Sequence, residues 1–297
     1  MRILIGTLYT IENDFENCCR AIQEQTHQDF EHFVIRNKPN KKAHDELYQT
    51  FMKRSDEFDL FLKIDADMVL RHNSILKEII GIFQSYSELD HAAFTVRDWY
   101  SQLQIIGLHA FSKRAQWTNL HDRLFVDPAP EIPGRYVLFR SAPSPVADHS
   151  PNPSPEEAYL FGWHRGLKTV QRDASIRQKN FAMQVYHYNL LCNVWKQFRI
   201  SGDLRRGLAL YGAGTLFCLK GVSTLDEKKL NSQDEIDRLA NTNFVELRKH
   251  LRPMWGITSI DHWKRMLKYG MTLRGYVFCL RLVLGFLKRL RLFSGDI

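Results

Sequence analysis

The chain has 297 residues, of which 44% are hydrophobic and 25% are charged. This composition is typical of a soluble globular protein, and it excludes a disordered chain, a collagen-like chain and a small disulfide scaffold. The net charge of +8 is unevenly placed, because residues 248–297 hold eleven Lys and Arg against two acids and so carry +9, while residues 1–247 carry −1. A basic segment of this kind attracts phosphate, either in nucleic acid or in anionic lipid headgroups.

The cysteines and the amino-terminal residues indicate the cellular compartment of the protein. The five cysteines contain no pair at metal-ligand spacing, and their number is odd. The apolar run that opens the sequence is too short for a signal peptide. We therefore expect free thiols in a reducing, cytoplasmic setting.

The first 96 residues alternate between predicted strands and predicted helices. Strands are predicted at 2–8, 32–35, 60–64 and 92–96, and helices at 15–22, 43–53 and 74–84. The helices show apolar residues three and four apart, and the strand at 60–64 is a nearly continuous apolar run, as in strands buried on both faces. This order predicts an α/β fold with an open, mostly parallel sheet flanked by helices.

The rest of the sequence is less regular. Further strands are predicted at 103–111 and 136–139, and helices at 156–171 and 185–198. Residues 128–155 hold eight of the ten prolines, which predicts a long surface loop that acts as a lid.

Two later segments complete the predicted domain organisation. Gly212-Ala213-Gly214 lacks the other residues of a phosphate loop, and we predict a tight turn there. Residues 225–247 are polar and predict a connector. The chain is thus divided into a catalytic domain at 1–224, this connector, and a basic amphipathic helical region at 248–297.

The sharpest local feature is Asp65-Ala66-Asp67, which directly follows the predicted strand at 60–64. In an open parallel sheet, ligands bind beyond the carboxyl ends of the strands. Two carboxylates one residue apart at such an end supply hard oxygen ligands for Mn²⁺ or Mg²⁺, and the ion can bridge to phosphate. The alternative is a solvated acidic turn.

Three neighbouring elements resemble the family 2 glycosyltransferases, which have a GT-A fold. Gln25-Thr26 followed by Phe30-Glu31 before a strand resembles the first helix and second strand of that family. The segment 61–68, which contains Asp65 and Asp67, resembles its metal-binding Asp-x-Asp segment. The resemblance covers residues 2–80, and the order and spacing of all three elements agree.

The resemblance implies roles for several residues around the nucleotide. Residues of the loop after the first strand would cup the base and ribose, and we place Lys63, Asp65 and His44 in the same nucleotide-binding set. The family carries Asp after its second strand, whereas this chain has Arg36-Asn37-Lys38, so Asn37 is left as the candidate that hydrogen-bonds the base. The residues predicted for the loop are Thr7, Leu8 and Tyr9.

Glu156 and Glu157 resemble the acidic motif that opens a helix in the same family. There an acid serves as the general base that deprotonates the acceptor hydroxyl. Acids at a helix start also simply favour the helix dipole, and the sequence does not choose between the two glutamates. The Gln-x-x-Arg-Trp acceptor motif of the family has no copy here, so this chain resembles a divergent member.

One histidine is a candidate for the metal shell. Some GT-A enzymes complete that shell with a late histidine, and His149, in the Pro-rich stretch, is the candidate here. His187, between two tyrosines, is the second candidate. An exposed loop histidine is the alternative in the case of His149.

The basic carboxyl-terminal region predicts a surface helix. Residues 269–293 alternate apolar and basic side chains, and no charge-free run there approaches the ~20 residues that a bilayer span requires. Such a helix lies at an anionic membrane surface or packs on the catalytic body. No groove-reading motif supports nucleic-acid binding.

Together these features predict a metal-dependent glycosyltransferase at the cytoplasmic face of the plasma membrane, and the resemblance to family 2 implies inversion at the anomeric carbon. It would move a sugar from a nucleotide-sugar donor to a hydroxyl of a glycan or glycolipid, as in bacterial-type surface polysaccharide or lipopolysaccharide synthesis. The cofactor would be Mn²⁺ or Mg²⁺. Two alternatives stay open: a non-catalytic GT-A domain that acts as a membrane-docked assembly partner, and a sugar nucleotidyltransferase.

Overall fold

The computed structural model describes residues 1–86, 88–117, 135–139, 145–170, 177–218 and 233–254. The chain divides into two compact units, Met1–Leu247 and Arg248–Ile297. Of the predicted surface loop at 128–155, residues 135–139 and 145–155 are described, and the prediction of a continuous loop is wrong there because residues 135–139 and 147–149 form strands. The whole predicted surface helix at 269–293 lies outside the described residues. In the second unit the described residues, 248–254, are helical.

The described part of the chain contains eight strands and a series of helices. The strands are β1 (Ile3–Tyr9), β2 (Phe30–Arg36), β3 (Leu60–Lys63), β4 (Met68–Leu70), β5 (Leu89–Asp98), β6 (Gln104–Ser112), β7 (Arg135–Phe139) and β8 (Ala147–His149). The helices are α1 (Phe15–Gln23), α2 (Asn40–Lys53), α3 (Ile75–Ser85), α4 (Pro155–Val170), α5 (Arg177–Ser201), α6 (Leu204–Cys218) and α7 (Gln233–Ala240), followed by a helical segment at 244–254.

The eight strands form one sheet in the order β2-β1-β3-β6-β5-β8-β4, with β7 also beside β5. β1 pairs in parallel with β2 and β3, and β5 pairs in parallel with β7 and β8. β6 lies antiparallel between β3 and β5, and β4 is antiparallel to β8. Six of the eight strands therefore run in one direction, which confirms the predicted α/β class and the mostly parallel sheet.

The structure adds strand pairings that the sequence does not predict, and it corrects a predicted turn. The strand predicted at 103–111 is β6, which runs antiparallel between β3 and β5. The strands β4 and β8, each three residues long, were not predicted, since so few residues show no alternation. The turn predicted at Gly212-Ala213-Gly214 is wrong, because these residues lie inside α6.

The small residues of α6 serve a close helix crossing. A Cβ added to Gly212 would lie 2.3 Å from the backbone oxygen of Tyr159 on α4, and one added to Gly162 of α4 would lie 1.6 Å from the backbone oxygen of Ala209 on α6. Side chains at these positions would force the two helices apart. The crossing fixes α4, which carries both candidate glutamates at its first turn.

An aromatic cluster fills the core between the sheet and α2. Tyr48 stacks on Trp117 with ring centroids 4.5 Å apart, and Phe51 stacks on Phe61 at the same separation. Phe111 of β6 packs edge-on against Trp117. Buried aromatic pairs of this kind each add ~1 kcal/mol beyond the area that they bury.

Part of the predicted connector at 225–247 is structured. Residues 233–240 form α7, which buries Ile236 and Leu239 and packs against α4 and α6. This part of the segment therefore belongs to the body of the first unit, and the boundary at 224 stays a prediction. Across the described ranges, no helix combines the length and the apolar character needed to cross a membrane.

Candidate functional site

The candidate site lies where β3, β5 and β8 end. These strands run in the same direction, so their carboxyl ends meet at one edge of the sheet. Asp65 and Asp67 follow β3, Asp98 is the last residue of β5, and His149 is the last residue of β8. Asp98 and His149 are also direct partners in the sheet register, which places their side chains side by side.

His149 bridges two carboxylates. Its Nε2 lies 3.2 Å from Oδ2 of Asp67, and its Nδ1 lies 3.0 Å from Oδ1 of Asp98. Asp67 also accepts a hydrogen bond from the Ser150 hydroxyl at 2.8 Å, while the Ser150 backbone N–H donates to the Asp67 carbonyl at 2.7 Å. Ser150 holds this position with a positive φ of 47°. The sequence therefore brings together residues 51 to 83 positions apart in the chain.

The charges and hydrogen bonds of Asp67, His149 and Asp98 favour a charged imidazole between two carboxylates. Burial opposes the charged form of His149, but Asp67 and Asp98 together raise its pKa above the ordinary value. Burial likewise opposes the ionised form of Asp67, yet the charge and hydrogen bond of His149, with the Ser150 hydroxyl, lower the pKa of that carboxyl. The pKa of Asp98 is lowered against burial by His149 and Ser101.

Asp65 faces the other way, toward Lys63. The Lys63 ammonium donates to Oδ1 of Asp65 at 2.6 Å, and only 8% of Lys63 is exposed. The Cys18 thiol lies 3.7 Å from the Asp65 carbonyl oxygen. Burial raises the pKa of this thiol far above its usual range, so Cys18 is a packing residue rather than a nucleophile.

The donor set fits a divalent cation in its chemistry. Asp65 and Asp67 offer hard carboxylate oxygens, and His149 offers an imidazole whose other nitrogen already donates to a buried carboxylate, as metal-bound histidines usually do. Within the described ranges, no three His, Cys, Asp or Glu side chains are grouped closely enough to hold a metal ion. Asp65, Asp67 and His149 are the residues that would hold a cation, and their side chains would have to turn toward one another to do so, because Asp65 is paired with Lys63 and His149 with two carboxylates.

Two neighbouring glutamates occupy different environments at the start of α4. Glu156 is exposed, whereas Glu157 is half-buried. Oε1 of Glu157 accepts the Asn13 backbone N–H at 2.9 Å, Oε2 accepts the Ser154 backbone N–H at 2.6 Å, and the Ser154 hydroxyl in turn accepts the Glu157 N–H at 3.1 Å. This reciprocal pair is a capping box. Burial raises the pKa of Glu157, and the charge of Asp67 adds to that effect.

The segment between His149 and α4 is cross-linked to the rest of the site. The Asn152 N–H donates to the buried Asp14 carboxylate at 2.8 Å, and the Asn13 amide donates to the Asn152 carbonyl at 2.8 Å. Arg205, at the start of α6, donates to the Asn152 side chain at 3.2 Å. The part of the predicted lid that the structure describes here is thus a fixed strap that joins His149 to Glu157.

The predicted nucleotide residues fall into two groups. Tyr9 and Asn37 lie together at the ends of β1 and β2, where the Asn37 N–H donates to the Tyr9 carbonyl at 2.9 Å. The Arg36 guanidinium lies 5.0 Å from the centre of the Tyr9 ring, which packs at a tilt of 31° against the Phe15 ring. Asn37 is exposed and has a positive φ of 53°, a left-handed conformation that asparagine tolerates better than most residues.

The other predicted nucleotide residues point into the body of the fold. Thr7 is fully buried and its hydroxyl shares a hydrogen bond with His32 at 3.0 Å. Leu8 packs on the aromatic cluster, and His44 is 7% exposed beside Tyr48 on α2. His187, the second histidine candidate, is 1% exposed within α5.

Sequence reasoning missed three residues of the site. Asp98 ends a strand at the same sheet edge as Asp65, so it could have been found from the rule that ligands bind at the carboxyl ends of parallel strands. Ser150 follows His149 directly, but its role depends on a fold that places it beside Asp67. Arg205 lies in a segment for which no element was predicted, and nothing in its local sequence indicates its contact with the strap.

The comparisons with known proteins add no family. No family model matches the chain, and no curated protein matches it. Among solved structures, the one titled "Crystal Structure of A197 from STIV" matches with a TM-score of 0.27 and 12% sequence identity, over 33% of this chain. The match spans about half of that protein, 47% of its length.

Proposed function

We propose that this chain is a metal-dependent glycosyltransferase of GT-A type, related to family 2, that moves a sugar from a nucleotide-sugar donor to a hydroxyl of a glycan or lipid-linked acceptor with inversion. The observation that carries the proposal is the convergence at one sheet edge of Asp67, His149 and, through the strap, the half-buried Glu157. The mostly parallel sheet supports it, because ligands of such sheets bind at this edge.

Each residue then has a chemical task. Asp65, Asp67 and His149 would hold Mn²⁺ or Mg²⁺, and a bound ion would neutralise the negative charge that develops on the departing nucleoside diphosphate. Glu157 accepts the proton of the acceptor hydroxyl as that oxygen bonds to the anomeric carbon and the bond from this carbon to phosphate breaks. Burial brings the pKa of Glu157 closer to neutrality, which suits a general base.

The surroundings of Glu157 and Tyr9 complete the proposal. The backbone N–H groups of Asn13 and Ser154 fix the Glu157 carboxylate in one orientation and leave lone pairs for the proton. Tyr9, Arg36 and Asn37 offer a ring, a guanidinium and an amide at the neighbouring strand ends, which suits a nucleobase. The lipid-linked acceptor is proposed from the sequence alone, because the basic amphipathic residues 269–293 would bind the anionic inner face of the plasma membrane.

A thermal-shift screen tests the proposal. Nucleoside mono-, di- and triphosphates and nucleotide sugars are added with Mn²⁺ or with EDTA to the wild type, to Asp67→Ala and to Asp148→Ala. Asp148 is the matched control because it directly precedes His149 on β8, lies opposite Val69 in the register with β4, and pairs with Arg71 at 3.6 Å. Ligands that bind the native state raise the melting temperature by mass action.

Three outcomes separate the candidate functions. The proposal predicts a Mn²⁺-dependent shift with one nucleoside diphosphate and its sugar conjugate, in the wild type and in Asp148→Ala but not in Asp67→Ala. A shift with a nucleoside triphosphate alone would favour the nucleotidyltransferase instead. No shift at millimolar ligand would contradict the proposal and favour the non-catalytic assembly partner.

A further inference from the structure

We propose that the face of α4 that carries Glu157 is the subsite for the acceptor substrate, and that Arg165 on this face binds a phosphate group of that substrate. The inference rests on the proposed function, because it takes Glu157 as the base that meets the reacting hydroxyl. It does not depend on a bound cation. It narrows the acceptor from any glycan or lipid-linked hydroxyl to a hydroxyl on a phosphate-bearing molecule.

One face of α4 leads from Glu157 to Arg165. Glu157, Phe161 and Arg165 follow one another at intervals of four residues, so they lie on the same side of the helix. All three are half-buried, whereas Gly162 and Gly166 are buried against α6. At ~1.5 Å per residue, Arg165 lies roughly 12 Å along the helix from Glu157. That separation leaves room for sugar between a reacting hydroxyl and a charged group.

Phe161 joins this face of α4 to the sheet edge. Its ring stacks on the ring of Tyr100, which lies just beyond β5, with centroids 3.9 Å apart and an interplanar angle of 12°. The His149 ring lies 6.1 Å from the Phe161 ring, measured between centroids. The Arg165 guanidinium lies 5.0 Å from the centre of the same Phe161 ring, in a cation–π contact. Arg165 is therefore held beside the candidate site.

The Arg165 guanidinium has hydrogen-bonding capacity that the fold does not use. Its Nε is buried and has no hydrogen-bond partner. Among the described residues, none forms an ion pair or a hydrogen bond with this guanidinium, whereas the Arg205 guanidinium donates to Asp203 and Asn152. A buried donor without a partner costs free energy, and an oxygen of a bound ligand would remove that cost. A guanidinium presents its donors in a planar fork that matches an oxyanion.

A phosphate fits this face better than a carboxylate does. Lys168 lies one turn beyond Arg165 on the same side of α4 and brings a second basic side chain to it. A phosphate offers more oxygens and more negative charge than a carboxylate. Two sources could supply the phosphate of the acceptor: the linkage between a sugar and a lipid carrier, or an ester on the glycan itself.

A purely structural role for Arg165, as the cation that packs on Phe161, is the competing explanation. Arg199 supplies a matched control, because it is also a helical arginine but is exposed and lies near the end of α5. Arg199→Gln removes the same charge from the chain and keeps the contact between Arg165 and Phe161. Arg165→Gln removes both the charge and that contact.

The test measures the binding of three soluble probes to the full chain by titration calorimetry, with thermal unfolding recorded beside it. The probes are glucose 6-phosphate, a glucosyl phosphate esterified with decanol, and glucuronic acid. We expect the wild type and Arg199→Gln to bind at least one phosphate probe equally well, and Arg165→Gln to bind it about tenfold more weakly or worse. Binding of the decanol ester alone would identify a lipid linkage as the source, and binding of glucose 6-phosphate would identify an ester on the glycan.

The failure of this inference is distinguishable from the failure of the proposed function. Equal phosphate binding by the wild type and Arg165→Gln, stronger binding of glucuronic acid, or no phosphate binding by the wild type would overturn the inference. The thermal shift with nucleoside diphosphate and Mn²⁺ should be the same in the wild type and Arg165→Gln, and its presence leaves the proposed function standing. A wild type without that shift would overturn the proposed function and, with it, the role of the phosphate-bearing molecule as an acceptor.

A second measurement needs no variant, so the inference remains testable if Arg165→Gln does not fold. Phenylglyoxal modifies guanidinium groups, and mass spectrometry of peptides from the wild type locates the modified arginines. The inference predicts that the phosphate probes protect Arg165, while Arg199 is modified equally with and without them. Equal modification of Arg165 with and without the probes, or no modification of Arg165 at all, would overturn it.

Discussion

The crossing of α4 (Pro155–Val170) and α6 (Leu204–Cys218) allows a sharp stability prediction, because two glycines on the same chain meet opposite surroundings. A Cβ on Gly162 of α4 would lie 1.6 Å from the Ala209 carbonyl oxygen and 2.7 Å from its Cα. A Cβ on Gly81 of α3 would meet nothing within 4 Å. Both glycines lie inside helices, so Ala gains helix propensity at either site, worth ~1 kcal/mol.

The two alanine substitutions should therefore change the free energy of unfolding in opposite directions. In Gly162→Ala the overlap involves backbone rather than a flexible side chain, so the helices must separate, and we expect a loss of about 3 kcal/mol or more after the propensity gain. In Gly81→Ala the gain is unopposed, and we expect stabilisation of about 0.5–1 kcal/mol. At ~2–4 °C per kcal/mol, the melting temperatures should lie roughly 8–16 °C apart.

The assay is urea unfolding followed by far-ultraviolet circular dichroism, with the midpoint and slope fitted for each variant. The slope should stay unchanged, because neither substitution alters the surface exposed on unfolding. A Gly162→Ala variant as stable as the wild type would show that α4 and α6 do not cross at backbone contact, and the placement of Glu157 at the site would lose its support.

Two further predictions concern Glu157 as the general base and the loss of stability at low pH. Glu157→Gln should reduce the transfer rate by a factor of about 10²–10⁴, because the acceptor hydroxyl loses the group that takes its proton. Glu156 is exposed and one residue away, so Glu156→Gln should leave the rate near that of the wild type. Equal rates in the two variants would remove Glu157 as the base. Burial, with the charge of His109, lowers the pKa of His91 to about 3, from 6.5, so the folded state keeps His91 neutral while the unfolded state takes up a proton. The free energy of unfolding is therefore highest above pH 6.5 and falls as the pH falls toward 3, with a loss of about 2 kcal/mol at pH 5. In His91→Phe the free energy of unfolding, measured with urea, should change less between pH 7 and pH 5.

The early part of the fold follows from its sequence because local pattern and tertiary structure agree there. The strand predicted at 60–64 is β3, the helix predicted at 15–22 is α1, and the acidic pair predicted after the strand does lie at the sheet edge. Apolar spacing alone specifies these elements, since each buries one face or both faces in the same core.

The site itself depends on contacts that local pattern does not encode. His149 was expected in a loop, but three residues of β8 pair with β4 and place it against Asp67 and Asp98. Gly212 and Gly214 were read as a turn because turns use glycine for its backbone freedom, whereas in α6 the small size of Gly212 allows the close approach of α4. In both cases the deciding partner lies far away in the sequence.

The most direct test of the central claim is the release of nucleoside diphosphate from a nucleotide sugar in the presence of Mn²⁺, compared between Asp67→Ala and Asp148→Ala. Asp67 lies 3.2 Å from His149 at the proposed cation site, while Asp148 faces Arg71. The account predicts wild-type release by Asp148→Ala and loss of release by a folded Asp67→Ala. Wild-type release by Asp67→Ala would contradict a metal-dependent transfer at this sheet edge.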